Sequence, residues 1–261
     1  MDPKSLRNYI YIIGGPIVII LVWWIFSAVN TMFEDPLISP LFLADPFAVL
    51  QTTISLFRAD TIETDIFNTL RRVLAGFLLG AVIGVPLGII IGYFRRIGDA
   101  LEFIIDFFRS LPAAALFPFF IMVFGVGEFS KIGVAAFSSS LIILVNTTYG
   151  VRGVKELRLM AARLFKLSNA KIFYAIILPE SFPHIFAGLR IAISYSMILV
   201  IFTEMFIGTE TGLGKRIIES QEVYRTAEMF AAIILAGILG YIINKALLFV
   251  ERRMITWEGK A

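Results

Sequence analysis

The 261 residues are 58% hydrophobic and 16% charged, whereas a soluble domain carries roughly 45–50% apolar and about 25% charged residues; the excess belongs in lipid. A net charge of +3 with basic residues gathered in particular loops reports membrane orientation rather than nucleic-acid binding. With no Cys and one His, a disulfide framework, a thiolate metal site and a histidine metal cluster are excluded.

Met1–Asn8 is short and polar, with Lys4 and Arg7, and Tyr9–Val29 follows without a charge. About 20 apolar residues are enough to cross the hydrocarbon, and Trp23 and Trp24 suit an outer interface. The run is too long for a signal peptide and no small-x-small cleavage site follows, so it reads as a retained first span. Asn30–Asn68 is a long loop with Glu34, Asp35, Asp45, Asp60, Glu63 and Asp65 against a single base, Arg58. That balance suits the outer side, and Phe47–Phe57 within it predicts a short interfacial helix.

Val73–Phe94 predicts the second span. Gly76, Gly80, Gly84, Gly88 and Gly92 recur at every fourth position, which puts them on one helical face and admits another backbone at close range. Pro86 removes one backbone hydrogen bond and predicts a kink. Arg95 and Arg96 then mark an inner loop. Leu101–Phe124 contains the third span, interrupted by Asp106, Arg109, Pro112 and Pro118. In a straight span Arg109 would lie about 12 Å along the axis.

Gly125–Lys131 reads as a tight outer turn. Ile132–Tyr149 is the fourth span, with Ser138, Ser139, Ser140, Asn146, Thr147 and Thr148 along it. Phe186–Ile207 is the fifth, with Arg190 at its inner end and Glu204 near its outer end. Gly208–Thr226 is an outer loop, Ala227–Val250 the sixth span, and Glu251–Ala261 closes the chain inside. Intramembrane charges are costly and face a bundle interior or water, so Arg109, Glu204, Ser138, Ser139, Ser140 and Asn146 are candidate pathway residues. Each has a plainer alternative. Asp106 and Arg109 are spaced to pair at i, i+3; Glu204 can sit in the outer interface; the serines can bond to their own helix or a neighbouring one.

Between the fourth and fifth spans lies a charged segment, residues 155–183. Leu157, Met160, Ala161, Leu164 and Phe165 follow i, i+3, i+4, i+7, i+8, the single-face pattern of an amphipathic helix. Lys155, Glu156, Arg158, Arg163 and Lys166 lie mostly off that face. A second short helix follows, with Ile172, Phe173, Ile176 and Ile177 apolar, Ser168 placed to cap its start, and Pro179 and Pro183 expected to end it. The pair reads as a docking element on the side where the flanking bases collect: Arg95, Arg96, Arg152, Lys155, Arg158, Arg163, Lys166, Lys171, Arg252, Arg253 and Lys260 with Lys4 and Arg7. That side is cytoplasmic by the positive-inside rule, so both termini are expected inside. Arg71 and Arg72, at the outer end of the second span, break the pattern.

These residues carry a resemblance. Importer permeases of the ATP-binding-cassette class share a cytoplasmic motif: Glu-Ala-Ala, three residues, Gly, nine residues, Ile, one residue, Leu-Pro. Ala161, Ala162, Ile176, Leu178 and Pro179 match it in register, with Met160 at the Glu position and Lys166 at the Gly position. A Gly there would suit a left-handed turn; a Lys in that conformation costs roughly 1–2 kcal/mol, so a differently built bend is expected. The stretches TLRRVLAGFLLG, GVPLGIIIGYF, RSLPAAALFPFF, FGVGEFSKI, NTTYGVRGV, LPESFPHIFAGLR and ERRMITW resemble the nitrate/sulfonate/taurine branch, which also serves bicarbonate and pyrimidine precursors.

The resemblance implies an all-α membrane protein of the type I ABC importer permease fold, with about six transmembrane helices in one domain over residues 1–261. It implies a coupling helix fitting a groove on an ATPase, two ATPase subunits, a second permease copy (the same chain or a related one) and an extracytoplasmic binding protein. It implies a bacterial inner-membrane location, a small polar solute, and no cofactor in this chain, ATP and Mg belonging to the ATPase. From the residues themselves no catalytic constellation emerges. GTETGLGKR is no phosphate loop, because Thr209 stands where Gly is needed and Arg216 where a hydroxyl is needed. His184 reads as a local hydrogen-bonding residue. The competing readings are a secondary transporter or channel without an ATPase, which would want inverted repeats or paired intramembrane charges, and an intramembrane enzyme.

Overall fold

The computed structural model describes residues 3–33, 37–39, 41–206 and 209–255, with side chains from Gly14 onward. The expectations for the Lys4 and Arg7 side chains and for Glu34, Asp35, Ile207, Gly208 and Lys260 fall outside what is described. The described residues are helical, joined by short turns: α1 (Pro3–Asn30), α2 (Pro46–Arg58), α3 (Ile62–Tyr93), α4 (Arg95–Ser110), α5 (Phe117–Phe124), α6 (Glu128–Arg152), α7 (Glu156–Leu164), α8 (Asn169–Ile172), α9 (Leu178–Phe206), α10 (Leu213–Glu222) and α11 (Thr226–Met254).

Among the described residues four segments are long and apolar enough to cross a bilayer: α3, α6, residues 169–206, and α11. The expected third span is instead broken. The pair Arg95–Ser110 and Ala113–Phe124 passes the same test jointly but bends by 88°. Pro112 disfavours the helical region for the residue before it, and Leu111 is extended, with ψ 130°; a single 3₁₀ turn, Ala113–Leu116, then leads into α5. The first of the expected six spans corresponds to α1, whose apolar stretch Gly14–Asn30 is shorter. Trp23 anchors it by donating to the Ala44 carbonyl at 3.1 Å and packing its ring on Phe230. The expected interfacial helix is α2, capped by Asp45, which accepts from the Phe47 and Ala48 N–H groups at 2.9 and 3.2 Å.

The core is a seam between α3 and α6, which run in the same direction. A Cβ placed on Gly76, Gly80, Gly84, Gly88 or Gly92 would meet, in turn, Ala135, Ser139, Ile143, Thr147 and Val151 within 2.9 Å. A four-residue step on α3 thus meets a four-residue step on α6. On Gly84 the added atom would also come within 2.6 Å of the Ser140 carbonyl oxygen, so α6 backbone, not a flexible tip, fills the space. α9 packs antiparallel on α6: Gly188 faces Asn146, and Gly150 faces Ser181 and His184. Ser196 Oγ donates to the Val73 carbonyl at 3.0 Å, tying α9 to α3. Ile62, Val73, Ile143, Ala192, Val200 and Leu213 close the interior.

Pro179 and Pro183 do not end a short helix as expected. The chain is helical from Asn169 to Phe206 through both. A π turn, Phe173–Ile177, leads into α9, with the Leu178 N–H bonded to the Phe173 carbonyl, and Pro179, which has no N–H to donate, stands directly after this widened turn. Pro183 sits inside α9, where neighbouring helices tolerate the lost bond.

Gly84→Leu should separate α3 from α6 and lower the thermal midpoint in detergent by an amount matching at least 1–3 kcal/mol of overpacking. An unchanged midpoint would mean the two backbones are not in contact at Gly84.

Candidate functional site

Two polar constructions stand at opposite ends of the bundle. At one end, residues 155–183 fold back on the C-terminal ends of α6 and α3. Ala162, Ile172 and Ile177 are buried with Val151 and Val154, and Leu159, Leu167 and Ile89 pack around them. Arg158 pairs with Glu180 at 2.6 Å, bracing α7 against α9. The face of α7 carrying Leu157, Met160, Leu164 and Phe165 points away from the chain, these residues being 78%, 51%, 84% and 80% exposed. α7 therefore has two apolar sides, one spent on its own chain and one open.

The bend after α7 is not built differently, as the Lys at position 166 had suggested. Lys166 has φ 55°, the left-handed conformation a Gly would take. The Leu167 N–H reaches back to the Ala162 carbonyl at 3.2 Å and the Lys166 N–H to the Arg163 carbonyl at 2.9 Å, the paired bonds of a Schellman turn. Ser168 caps α8 by accepting from the Lys171 N–H at 3.3 Å. Alongside lies a groove of about 450 Å³ lined by Ala161, Phe165, Leu167, Ile176 and Pro179, with Arg158 and Glu180 at its edge.

At the other end Glu204 is fully buried. It accepts from Arg72 Nη1 at 2.6 Å, Thr69 Oγ1 at 2.9 Å and the Gly214 N–H at 2.9 Å. Thr69 Oγ1 also accepts the Leu213 N–H at 2.9 Å, and Asp65 the Gly212 N–H at 2.7 Å. The free N–H groups at the start of α10 are thus met by two carboxylates and a hydroxyl from α3 and α9. Arg72 reaches on to Glu128 with Nε and Nη2 at 2.8 and 2.7 Å, and Lys131 stands 3.4 Å from the same carboxylate. Arg216 bridges Asp65 at 2.5 Å and Glu228 at 2.7 Å. Burial alone would lower the Arg216 pKa, but these two carboxylates hold it above its ordinary value.

Glycine is required twice in this loop. Gly212 has φ 141°, and a Cβ on Gly214 would lie 2.3 Å from the Ile201 carbonyl oxygen. The stretch of residues 209–216, no phosphate loop, is the docking sequence of α10. Its partners Asp65, Thr69 and Arg72, and Glu128 behind Arg72, do not emerge as a site from the sequence; the signal is Arg71 and Arg72, two bases on the wrong side for orientation.

The remaining candidates are placed as follows. Ser138 and Ser139 are buried; Ser139 Oγ faces the Ala192 carbonyl at 3.4 Å. Ser140 Oγ and Asn146 Nδ2 donate within α6, to Phe137 and Ile142 carbonyls at 2.7 and 2.8 Å. Arg109 stands in the last turn of α4, before the 88° bend, and the adjacent Phe108 packs on Phe137, in the middle of α6, with ring centroids 5.9 Å apart. It pairs with Asp106 at 3.2 Å, both side chains more than half exposed. Arg95, Asp99, Glu102, Asp106 and Arg109 share one face of α4 by helical spacing.

The described residues form an all-helical bundle with a broken span and a helical elbow outside it. Residues 84–256 match the family described as "Binding-protein-dependent transport system inner membrane component". A probable ABC transporter permease of Brucella abortus (strain 2308) is 34% identical over 84% of this chain and 87% of its own. The nitrate import permease NrtB of Synechocystis sp. is 34% identical over 75% and 70%, and the taurine transport system permease TauC of Escherichia coli (strain K12) 28% identical over 95% and 90%. Among solved structures, one of the MetNI methionine ABC transporter superposes with a TM-score of 0.62 at 21% identity, covering 73% of this chain and 94% of that one. The chain belongs to the binding-protein-dependent ABC importer permeases. It is a multi-pass inner-membrane subunit and not itself an ATPase, and the family implies ATPase and binding-protein partners.

Replacing Arg72 by Met would leave Glu204 buried and uncompensated, at a cost of about 3–5 kcal/mol. The purified variant should melt well below wild type; equal midpoints would show that the ion pair does not hold the outer end.

Proposed function

We propose that two copies of this chain form the pathway of an importer for a small anion, with an ATPase subunit docked on residues 155–183 of each. The observation that carries this reading is the open apolar face of α7, Leu157, Met160, Leu164 and Phe165, on an element set apart from the spans and flanked by Lys155, Arg163 and Lys171. Ala161, Ala162, Ile176, Leu178 and Pro179 complete the same surface and its support. Closure of the ATPases on ATP would then push α7, and through the cluster around Ala162 and the Arg158–Glu180 pair would rock α6 and α9 together. Both termini lie on the ATPase side.

An anion is favoured by the relatives, whose names specify nitrate and taurine transport, and by Arg109 at the bend of the broken span, where a guanidinium can hold an oxyanion bidentately. The charged face of α4 lines the inner vestibule, and Ser138, Ser139, Ser140 and Asn146 contribute to the wall behind it. Glu204 acts by fixing the outer end of the pathway.

Two variants test this. Leu164→Asp puts a carboxylate into the docked face, an unpaired burial costing several kcal/mol; it should release the ATPase while the spans stay folded, and full co-purification with normal ATP hydrolysis would refute the docking assignment. Arg109→Gln keeps length and polarity and removes charge; it should slow anion uptake in reconstituted vesicles with assembly and basal hydrolysis intact. Uptake at the wild-type rate would take Arg109 out of the pathway.

A further inference from the structure

Three helix ends in the chain close through a non-glycine residue in the left-handed region: Asp60, Lys166 and Tyr224, with φ 51°, 55° and 57°. Each gives the same backbone pattern, so none of the side chains is needed for the turn itself. Asp tolerates this conformation better than most residues. The Tyr224 ring packs against Phe42, centroids 5.8 Å apart. Lys166 has no such return. Its side chain is exposed, and no hydrogen bond, ion pair or ring contact engages it among the described residues.

Its neighbourhood makes the placement less favourable still. Between 155 and 171 there are five bases and one acid, Glu156. Arg158 is engaged by Glu180, which leaves Lys155, Arg163, Lys166 and Lys171 exposed and like-charged. The hydrogen bonds of the turn and the packing of Leu167 hold the backbone in place, and the fixed, unengaged, like-charged side chain is what remains for a partner to meet.

We propose that Lys166 is a recognition residue for the ATPase, pairing with an acidic side chain on the rim of the groove that receives Leu164 and Phe165. This rests on the reading of residues 155–183 as the ATPase-docking element. The geometry favours a protein over lipid headgroups. A lysine serving headgroups works through its flexible stem and needs no fixed backbone, whereas Lys166 is set in a closed turn between two helices and directly follows two exposed apolar side chains. A preorganised charge suits a rigid counterpart, and it selects among ATPases by sign as well as by shape.

The test uses full-length permease in nanodiscs and the ATPase subunit that co-purifies with the wild type, titrated at about 50 mM and about 500 mM salt. Lys166→Gly relieves the turn, so it should melt at or above wild type. It should nevertheless bind the ATPase about fivefold more weakly at low salt, with a flatter salt dependence, while Lys166→Arg stays near wild type. Unchanged affinity and salt slope in Lys166→Gly would overturn the inference. So would a loss of affinity in Lys166→Gly that appears only in nanodiscs containing phosphatidylglycerol and vanishes in nanodiscs of neutral lipid, which would assign the charge to the lipid surface. If Leu164→Asp binds the ATPase as tightly as wild type, the docking reading itself fails, and that outcome is distinct from a Lys166 effect measured against an intact Leu164 baseline.

Discussion

The close approach of α3 and α6 sets the register of everything else. Helices in lipid gain little from hiding apolar surface from one another, so their association relies on packing and on small residues that let backbones meet. Here five glycines step down α3 in phase with Ala135, Ser139, Ile143, Thr147 and Val151 of α6. A slip by one residue would put a β-carbon where carbonyl oxygens now stand. Because the two helices run in the same direction, the seam fixes both ends of the bundle together.

At the N-terminal ends of α3 and α6 that register brings Arg72 of α3 between Glu128 of α6 and Glu204 of α9. Buried charges are stable only when paired and fully hydrogen-bonded, and Glu204 meets the condition by taking the N–H of Gly214 as well as Thr69 and Arg72. Helix α10 is therefore anchored through its own N-terminus. At the C-terminal ends of α3 and α6 the same register places Val151 and Val154 under α7. The elbow is consequently tied to the helices it would have to move, and its far side is left open. A transport cycle driven from that side needs both properties: stiffness toward the spans and an unfilled apolar face toward a partner.

Much of this was readable in the residues. The glycine spacing announces a packing face, and the stripe from Leu157 to Phe165 announces an amphipathic helix whose face the membrane does not use. What escaped was tertiary. Nothing local distinguishes Arg72 as a buried ion-pair partner from an orientation anomaly, since its two acids come from residues 56 and 132 positions away. The continuity of the helix through Pro179 and Pro183 depends on a π turn and on neighbouring helices, neither visible in the pattern. The break at Leu111 was signalled by Pro112, but its 88° angle, and with it the position of Arg109 at the end of an amphipathic helix, was not. Lys166 is the opposite case: its residue type argues against a left-handed turn, and the backbone bonds of α7 impose one.

The chain contains no cysteine, so a single one at Leu164 reports on the central claim without background. In membrane fragments holding the permease alone, a Cys at that position should react readily with a water-soluble maleimide. In membrane fragments holding the assembled transporter, it should be protected, and a Cys replacing Arg58, exposed at the end of α2 and outside the spans, should label equally in both as a control. Protection at 164 alone is the result expected if α7 is where the ATPase sits. Equal labelling at 164 with and without the ATPase would contradict the account.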